Sequence, residues 1–176
     1  MAVTKFFKEL IYMRKVFLMT LLIAMMSAAT VLAASWVQVY TDQNDNEIFF
    51  DTDSVKITRM NENRDNVTFS AVYRMNYSQK GRDATITWYR DYSIVPAGIE
   101  NLAYDITTIN FKREGGKVYY GIVSRVSYDA AGRRIANMDY EEPNPQWQEV
   151  PVASVVDVEY REASLIVDGK KYDANY

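Results

Sequence analysis

Val67 to Tyr77 reads VTFSAVYRMNY, and this stretch decides the fold. Val67, Phe69, Ala71, Tyr73, Met75 and Tyr77 fall on one face of an extended chain, with Thr68, Ser70, Val72, Arg74 and Asn76 on the other. A period of two with one apolar face is the signature of a half-buried antiparallel strand. Working outward, Asn101 to Lys112 and Lys117 to Tyr128 form a longer hairpin, with Gly115 and Gly116 supplying its turn. Asp129 to Gly132 is a second turn signal leading to Arg133 to Tyr140, so three consecutive strands are expected as a meander. In its middle strand, Val118, Tyr120, Ile122, Ser124, Val126 and Tyr128 are expected to face one way, and Tyr119, Gly121, Val123, Arg125 and Ser127 the other. Upstream, Trp36 to Thr41 and Glu47 to Asp51 read as a short hairpin around Asp42 to Asn46.

Two segments depart from this period. In Gly81 to Tyr92, GRDATITWYRDY, the Thr, Ile, Trp and Tyr residues suit a strand, while Ala84, Trp88 and Asp91 at three-to-four spacing favour a short helix. Near the C-terminus Ser154 caps a predicted helix over Val155 to Ile166, with Asp157 as the capping-box acid. Val155, Val158, Glu162 and Leu165 give it an imperfect apolar stripe, and Pro143, Pro145 and Pro151 mark the loop before it. The expected fold is α+β: an antiparallel sheet of five or six strands with the C-terminal helix packed on one face. An all-β barrel or sandwich is the alternative.

Met13 to Ser35, MRKVFLMTLLIAMMSAATVLAAS, carries a basic n-region at Arg14 and Lys15, an apolar run from Val16 to Met26 and small residues from Ser27 to Ala34. This is the pattern of a signal peptide over residues 1–34, with Val31 and Ala33 at −3 and −1 of the cut and Met13 as an alternative start. Val16 to Ala34 is also an uncharged run of 19 residues, and a spanning helix needs about 20, so an uncleaved anchor is the rival reading. Lys5, Lys8, Arg14 and Lys15 precede the run, and both readings place residues 35–176 outside the cytoplasm as one domain. The expected location is periplasmic, cell-surface or extracellular.

The first 34 residues hold four basic residues and one acidic residue; the rest of the chain carries 16 basic and 22 acidic, a net charge of −6. That balance argues against nucleic acid as a partner. The chain has no Cys, which excludes a disulfide and a lipidated cysteine, and no His. The usual Ser-His-Asp triad, thiolate nucleophile, structural zinc site and His-ligated haem are closed to it. A carboxylate pair, a Ser-Lys arrangement or a carboxylate-bound hard cation remain.

Asp42, Asn44 and Asn46 have the spacing of the first calcium-loop ligands, but Glu47 stands where that loop wants Gly and Asp53 where it wants Glu. An ordinary polar turn uses the same residues. Asp51, Asp53, Glu141 and Glu142 are the obvious carboxylates for acid-base work, although an Asx turn accounts for Asp51 and Asp53. Tyr73, Tyr77, Tyr119, Tyr120, Tyr128, Tyr140 and Tyr160 lie in expected elements, where sheet packing and partner contact both suit a large amphipathic ring. Tyr119 and Tyr120 must point to opposite faces, so at most one is core if one sheet face is covered.

Trp36 with Val37 and Val39, Phe49 to Val55 (FFDTDSV), Val72 with Tyr73, and Trp147 to Pro151 (WQEVP) followed by Ser154 together resemble the surface-adhesin protein E-like domain family. The resemblance covers nearly all of Trp36 to Ala163. It implies a small exported bacterial domain, with host-matrix or plasma-protein binding in some members and haem binding reported within the family. Here the missing Cys removes any family disulfide, and the missing His argues against haem. The resemblance also implies a buried Trp147 between sheet and C-terminal helix. The expected role is therefore a non-enzymatic exported binding or structural domain that contacts a protein or envelope component. It needs no cofactor and touches a membrane only through an uncleaved N-terminal segment. The alternative is a carboxylate-dependent hydrolase of envelope polymers.

Overall fold

The computed structural model describes residues 34–135 and 138–169. The signal-peptide or anchor segment, up to Ala33, lies outside the described residues.

At the centre are three long antiparallel strands: β4 (Val67–Asn76), β5 (Leu102–Glu114) and β6 (Lys117–Asp129). The VTFSAVYRMN alternation is realised in β4, where Val67, Phe69, Ala71 and Tyr73 are buried and the intervening residues are partly exposed. The flanks of this sheet are divided. β1 (Trp36–Thr41) pairs with β2 (Glu47–Asp51), and β2 pairs with the C-terminal half of β4. β3 (Lys56–Met60) pairs with the N-terminal half of β4. Between those two partners the Val72 amide would lack an acceptor; the Ser54 hydroxyl, in a short 3-10 turn (Thr52–Ser54), takes it at 2.9 Å. Beyond β6, two-residue strands β7 (Tyr140–Glu141) and β8 (Gln148–Glu149) pair with different parts of the same strand. The α+β sheet is thus eight-stranded and open; β3, β7 and β8 are short additions to the expected five or six strands.

Two helices cover one face. α1 (Gln79–Asp91) follows the Ser78 cap, so the ambiguous GRDATITWYRDY segment is helical. α2 (Val155–Val167) starts at the expected cap: Ser154 Oγ accepts from the Asp157 amide, and Asp157 Oδ2 accepts from the Ala153 amide. Its buried stripe is Glu159, Ala163 and Val167, one position round from the Val155, Val158, Glu162 and Leu165 stripe expected. α2 closes a core of Ile48, Phe50, Val67, Phe69, Ala71, Tyr73, Ile109 and Phe111. Rings in that core pack as offset or tilted pairs, Phe50 on Tyr73 at 5.2 Å and Phe69 on Phe111 at 5.4 Å. The Tyr73 hydroxyl donates to the Glu159 backbone carbonyl at 2.6 Å, and Arg113 holds Asp168 at the other end of the helix at 2.8 Å.

Three sequence expectations are corrected. Among the described residues of Arg133 to Tyr140 there is no continuous third meander strand: Arg134 bridges to Tyr128, the Ile135 amide donates to the Ser127 carbonyl and Tyr140 pairs with Arg125, while the Ile135 and Met138 side chains join Ile99 and Leu102 in a second apolar cluster under α1. The faces of β6 exchange part-way. Ile109 pairs with Ile122 but Thr108 pairs with Ser124, so Val123 is an extra residue, a β-bulge. Val118, Tyr120 and Ile122 keep to the helix-bearing face; beyond the bulge Arg125 and Ser127 take it, and Ser124, Val126 and Tyr128 turn away. Finally, Trp147 is not buried beneath α2. It is 40 % exposed, and the Lys112 ammonium lies 5.4 Å over its ring. Lys112 alternates with Phe111 and Arg113, both on the α2 side, so this contact forms on the opposite face.

Candidate functional site

Asp105 lies on the helix-bearing face of β5, between α1 and α2, at a position where the pleat would ordinarily place an apolar residue. It is 4 % exposed. Its Oδ2 accepts a 2.8 Å hydrogen bond from the Tyr77 hydroxyl, and the Nε of Arg125 on β6 approaches the same oxygen at 4.0 Å. Oδ1 and the neighbouring Ser127 Oγ, both enclosed, have no hydrogen-bond partner. Burial raises the Asp105 carboxyl above the usual aspartate range, while the Ser127 and Tyr77 hydroxyls and Arg125 pull it back. Burial, reinforced by Asp105, also raises the Tyr77 phenol.

Glu159 is the second unusual acid. It begins the buried stripe of α2, 7 % exposed, and its carboxyl has no hydrogen bond or salt bridge with any described residue. Burial pushes it up to about 8, with the Arg125 charge opposing. A carboxyl in that state is largely protonated at neutral pH.

Three cavities meet at Arg125. One of about 390 Å³ lies against α1 and is walled by Met75, Tyr77, Trp88, Tyr89 and Met138, with Asp105 and Ser127 at its floor. A second, of about 220 Å³, lies against α2 and brings Asp105 and Glu159 to one space. A third, of about 430 Å³, runs outward past Tyr140 and Glu142. The first is the size of a small-ligand site, its lining divided about evenly between polar and apolar surface. Trp88 is half exposed at its margin and touches Tyr89 and Tyr92 edge-on or tilted, at 4.9 and 4.7 Å.

The residues singled out in sequence do not make this site. Asp42 Oδ1 accepts from the Asn44 and Asn46 amides and its Oδ2 from Asn46 Nδ2, which is the polar-turn reading. Asp51 Oδ1 caps the 3-10 turn through the Asp53 amide, and Asp53 accepts from Ser35. Glu141 and Glu142 belong to the far edge of the sheet, with β4, β5 and β6 between them and β2, so the four carboxylates are not brought together. Glu142 accepts from the Asn144 amide. Among the tyrosines, Tyr73 is core, Tyr120 and Tyr160 pack against it, and Tyr77 enters the cleft. Tyr119 lies under Lys112, and Tyr128 stacks on Tyr104 at 5.0 Å, both on the other face; Tyr140 is half exposed. Asp105 and Arg125 escaped notice as site residues because each is one charged residue inside an apolar strand pattern, and Glu159 because it lies among Asp157, Arg161 and Glu162 of its helix. In the strands, that interruption was the available signal.

Comparison with protein-family models, with curated proteins and with solved structures finds no match. Among the described residues, no helix is long and apolar enough to cross a membrane, and no group of three acidic, His or Cys side chains is placed to hold a metal ion.

Proposed function

We propose that this protein is a non-enzymatic, exported binding domain that holds a small polar ligand in the cleft between α1 and α2. The observation that carries the reading is the pair of enclosed oxygens at the cavity, Asp105 Oδ1 and Ser127 Oγ, without a hydrogen-bond partner among the described residues, with the Glu159 carboxyl bordering the adjoining space. A buried polar group without a partner costs about 1–3 kcal/mol, a cost that a ligand group can offset by supplying the missing bond. Asp105 is held by Tyr77 and flanked by Arg125, which suits fixing a charge better than relaying a proton. The resemblance to the surface-adhesin protein E-like domains supports an exported binding role.

The purified protein, equilibrated with small-molecule and envelope extracts of the producing cell and washed, should retain a compound detectable by mass spectrometry. Arg125→Gln, a change at a half-exposed side chain, should fold normally and lose it. N-terminal sequencing of the recovered protein should begin at Ala34 or Ser35, whereas an intact segment through Ala33 in the membrane fraction would favour the anchor.

The second reading, a carboxylate-dependent hydrolase, draws on Asp105 and Glu159 lining one cavity with their pKa values both raised. Turnover of an envelope polymer that is lost in Glu159→Gln while binding persists would select it.

A further inference from the structure

We infer that the cleft takes an α-amino acid with an apolar side chain, its ammonium directed to Asp105 and Glu159 and its carboxylate to the Arg125 guanidinium. This ligand class rests on the binding role proposed above.

Arg125 presents a planar fork of donors suited to bidentate carboxylate recognition, yet it makes no hydrogen bond with a described residue. Its nearest approach to an acid, 4.0 Å to Asp105, is an ion-pair distance without hydrogen-bond contact. Half of its side chain is exposed, and it borders all three cavities. The fork is therefore available to an anion arriving from the cleft.

Facing it stand two acids, of which Glu159 is largely protonated until a cation approaches. Asp105 keeps one oxygen engaged by Tyr77, and Glu159 has none engaged. A simple anion would satisfy Arg125 and leave Glu159 without a partner. A simple cation would satisfy the acids and meet the repulsion of Arg125. An α-amino acid carries both charges on one carbon, the arrangement that two opposite charges held side by side select. Binding the ammonium also favours the ionised form of Glu159, so a proton is released as the ligand enters.

The 390 Å³ cavity, which shares Asp105 and Arg125 with the space at Glu159, sets the side chain. Met75, Tyr77, Trp88, Tyr89 and Met138 give it an apolar and aromatic part beside Asn44, Asn46 and Thr85, and two of these, Met75 and Met138, are adaptable fillers. Leucine, methionine or phenylalanine suit such walls; aspartate and lysine would bury a second charge without a partner.

Calorimetric titration of the full-length protein with free phenylalanine and leucine, with their N-acetyl and amide derivatives, and with glucose, propionate and spermidine tests this. Free phenylalanine or leucine should bind, and each blocked form should bind at least about tenfold more weakly. Arg125→Gln should abolish binding in protein that still unfolds cooperatively, and Glu159→Gln should weaken it and remove the buffer-dependent proton release. Equal binding of the blocked forms would overturn the requirement for both charges and point to a peptide residue instead. Binding of glucose, propionate or spermidine that is lost in Arg125→Gln would overturn the ligand class and leave the cleft as a site. No binding by any of these probes to folded protein also overturns the ligand class; the binding role itself falls only if the extracts leave no retained compound either.

Discussion

Asn46 shows how much a single side chain does in this protein. It is 4 % exposed, donates from its amide and Nδ2 to Asp42, and accepts the Ser78 amide on Oδ1 at 3.0 Å. It thereby fixes the β1–β2 turn to the start of α1, where Ser78 caps the helix and donates to the Asn44 carbonyl. The space it fills exists because residue 81 is glycine: a Cβ there would stand 1.8 Å from Asn46 Oδ1. Gly81→Ala should cost about 1–3 kcal/mol by overpacking, despite alanine's better helix propensity, and urea unfolding measures it. The polar turn at DQNDNE was legible in sequence. Its role as an anchor was not, because the partner that completes it lies 32 residues further along the chain.

Glu159 makes the second prediction at this scale. Its folded pKa, about 8, is above the unfolded value of 4.5, so the folded state holds the extra proton between those limits. Its contribution is fully favourable below about pH 4.5 and is lost as pH rises through 8. Stability should therefore decline from pH 5 to 9 by an amount on the order of a few kcal/mol, and Glu159→Gln should flatten the profile. Denaturant midpoints at several pH values provide the check, and an unchanged slope in the variant would refute the assignment.

Among the elements, α2 was the most legible, because its cap is local chemistry. Ser154 and Asp157 exchange hydrogen bonds with backbone amides at the helix entrance, and Ser154→Ala should cost about 1 kcal/mol in urea unfolding. The Trp147 segment was misread for the opposite reason. Pro143, Pro145 and Pro151 did mark a loop, and what holds that loop is the strand pairing of β8 with Tyr119 and Tyr120 and the packing of Pro145 over Gly121. Trp147 itself contributes a half-exposed cation-π contact with Lys112. Trp147→Ala should accordingly cost about 1 kcal/mol or less, well short of the 3–5 kcal/mol of a buried aromatic. Among its described residues, the Arg133 to Tyr140 segment is not one continuous strand, and two of its apolar residues, Ile135 and Met138, serve the cluster under α1, a tertiary demand absent from any local pattern.

Across the whole molecule, the alternation in β4 sufficed to foresee a sheet with one covered face, and the apolar residues of β2, β4 and β5 do share one core with α2. The cleft was not foreseeable in the same way. Its charged residues come from β5, β6 and α2, and their convergence depends on Val123 standing outside the alternation of β6. Composition, charge and length are indifferent to where that extra residue falls. A deletion of Val123 in frame would remove the bulge and let Ser124 follow Ile122 directly, so that Ser124 and Val126 stay on the open face and Arg125 and Ser127 on the helix side. A residue gained just beyond the bulge would instead exchange the two sets, with every hydrophobic residue of β4 and β5 left in place. In heredity the pocket's chemistry is therefore buffered against the loss of three nucleotides here and exposed to their gain, on a scaffold whose core barely registers the change.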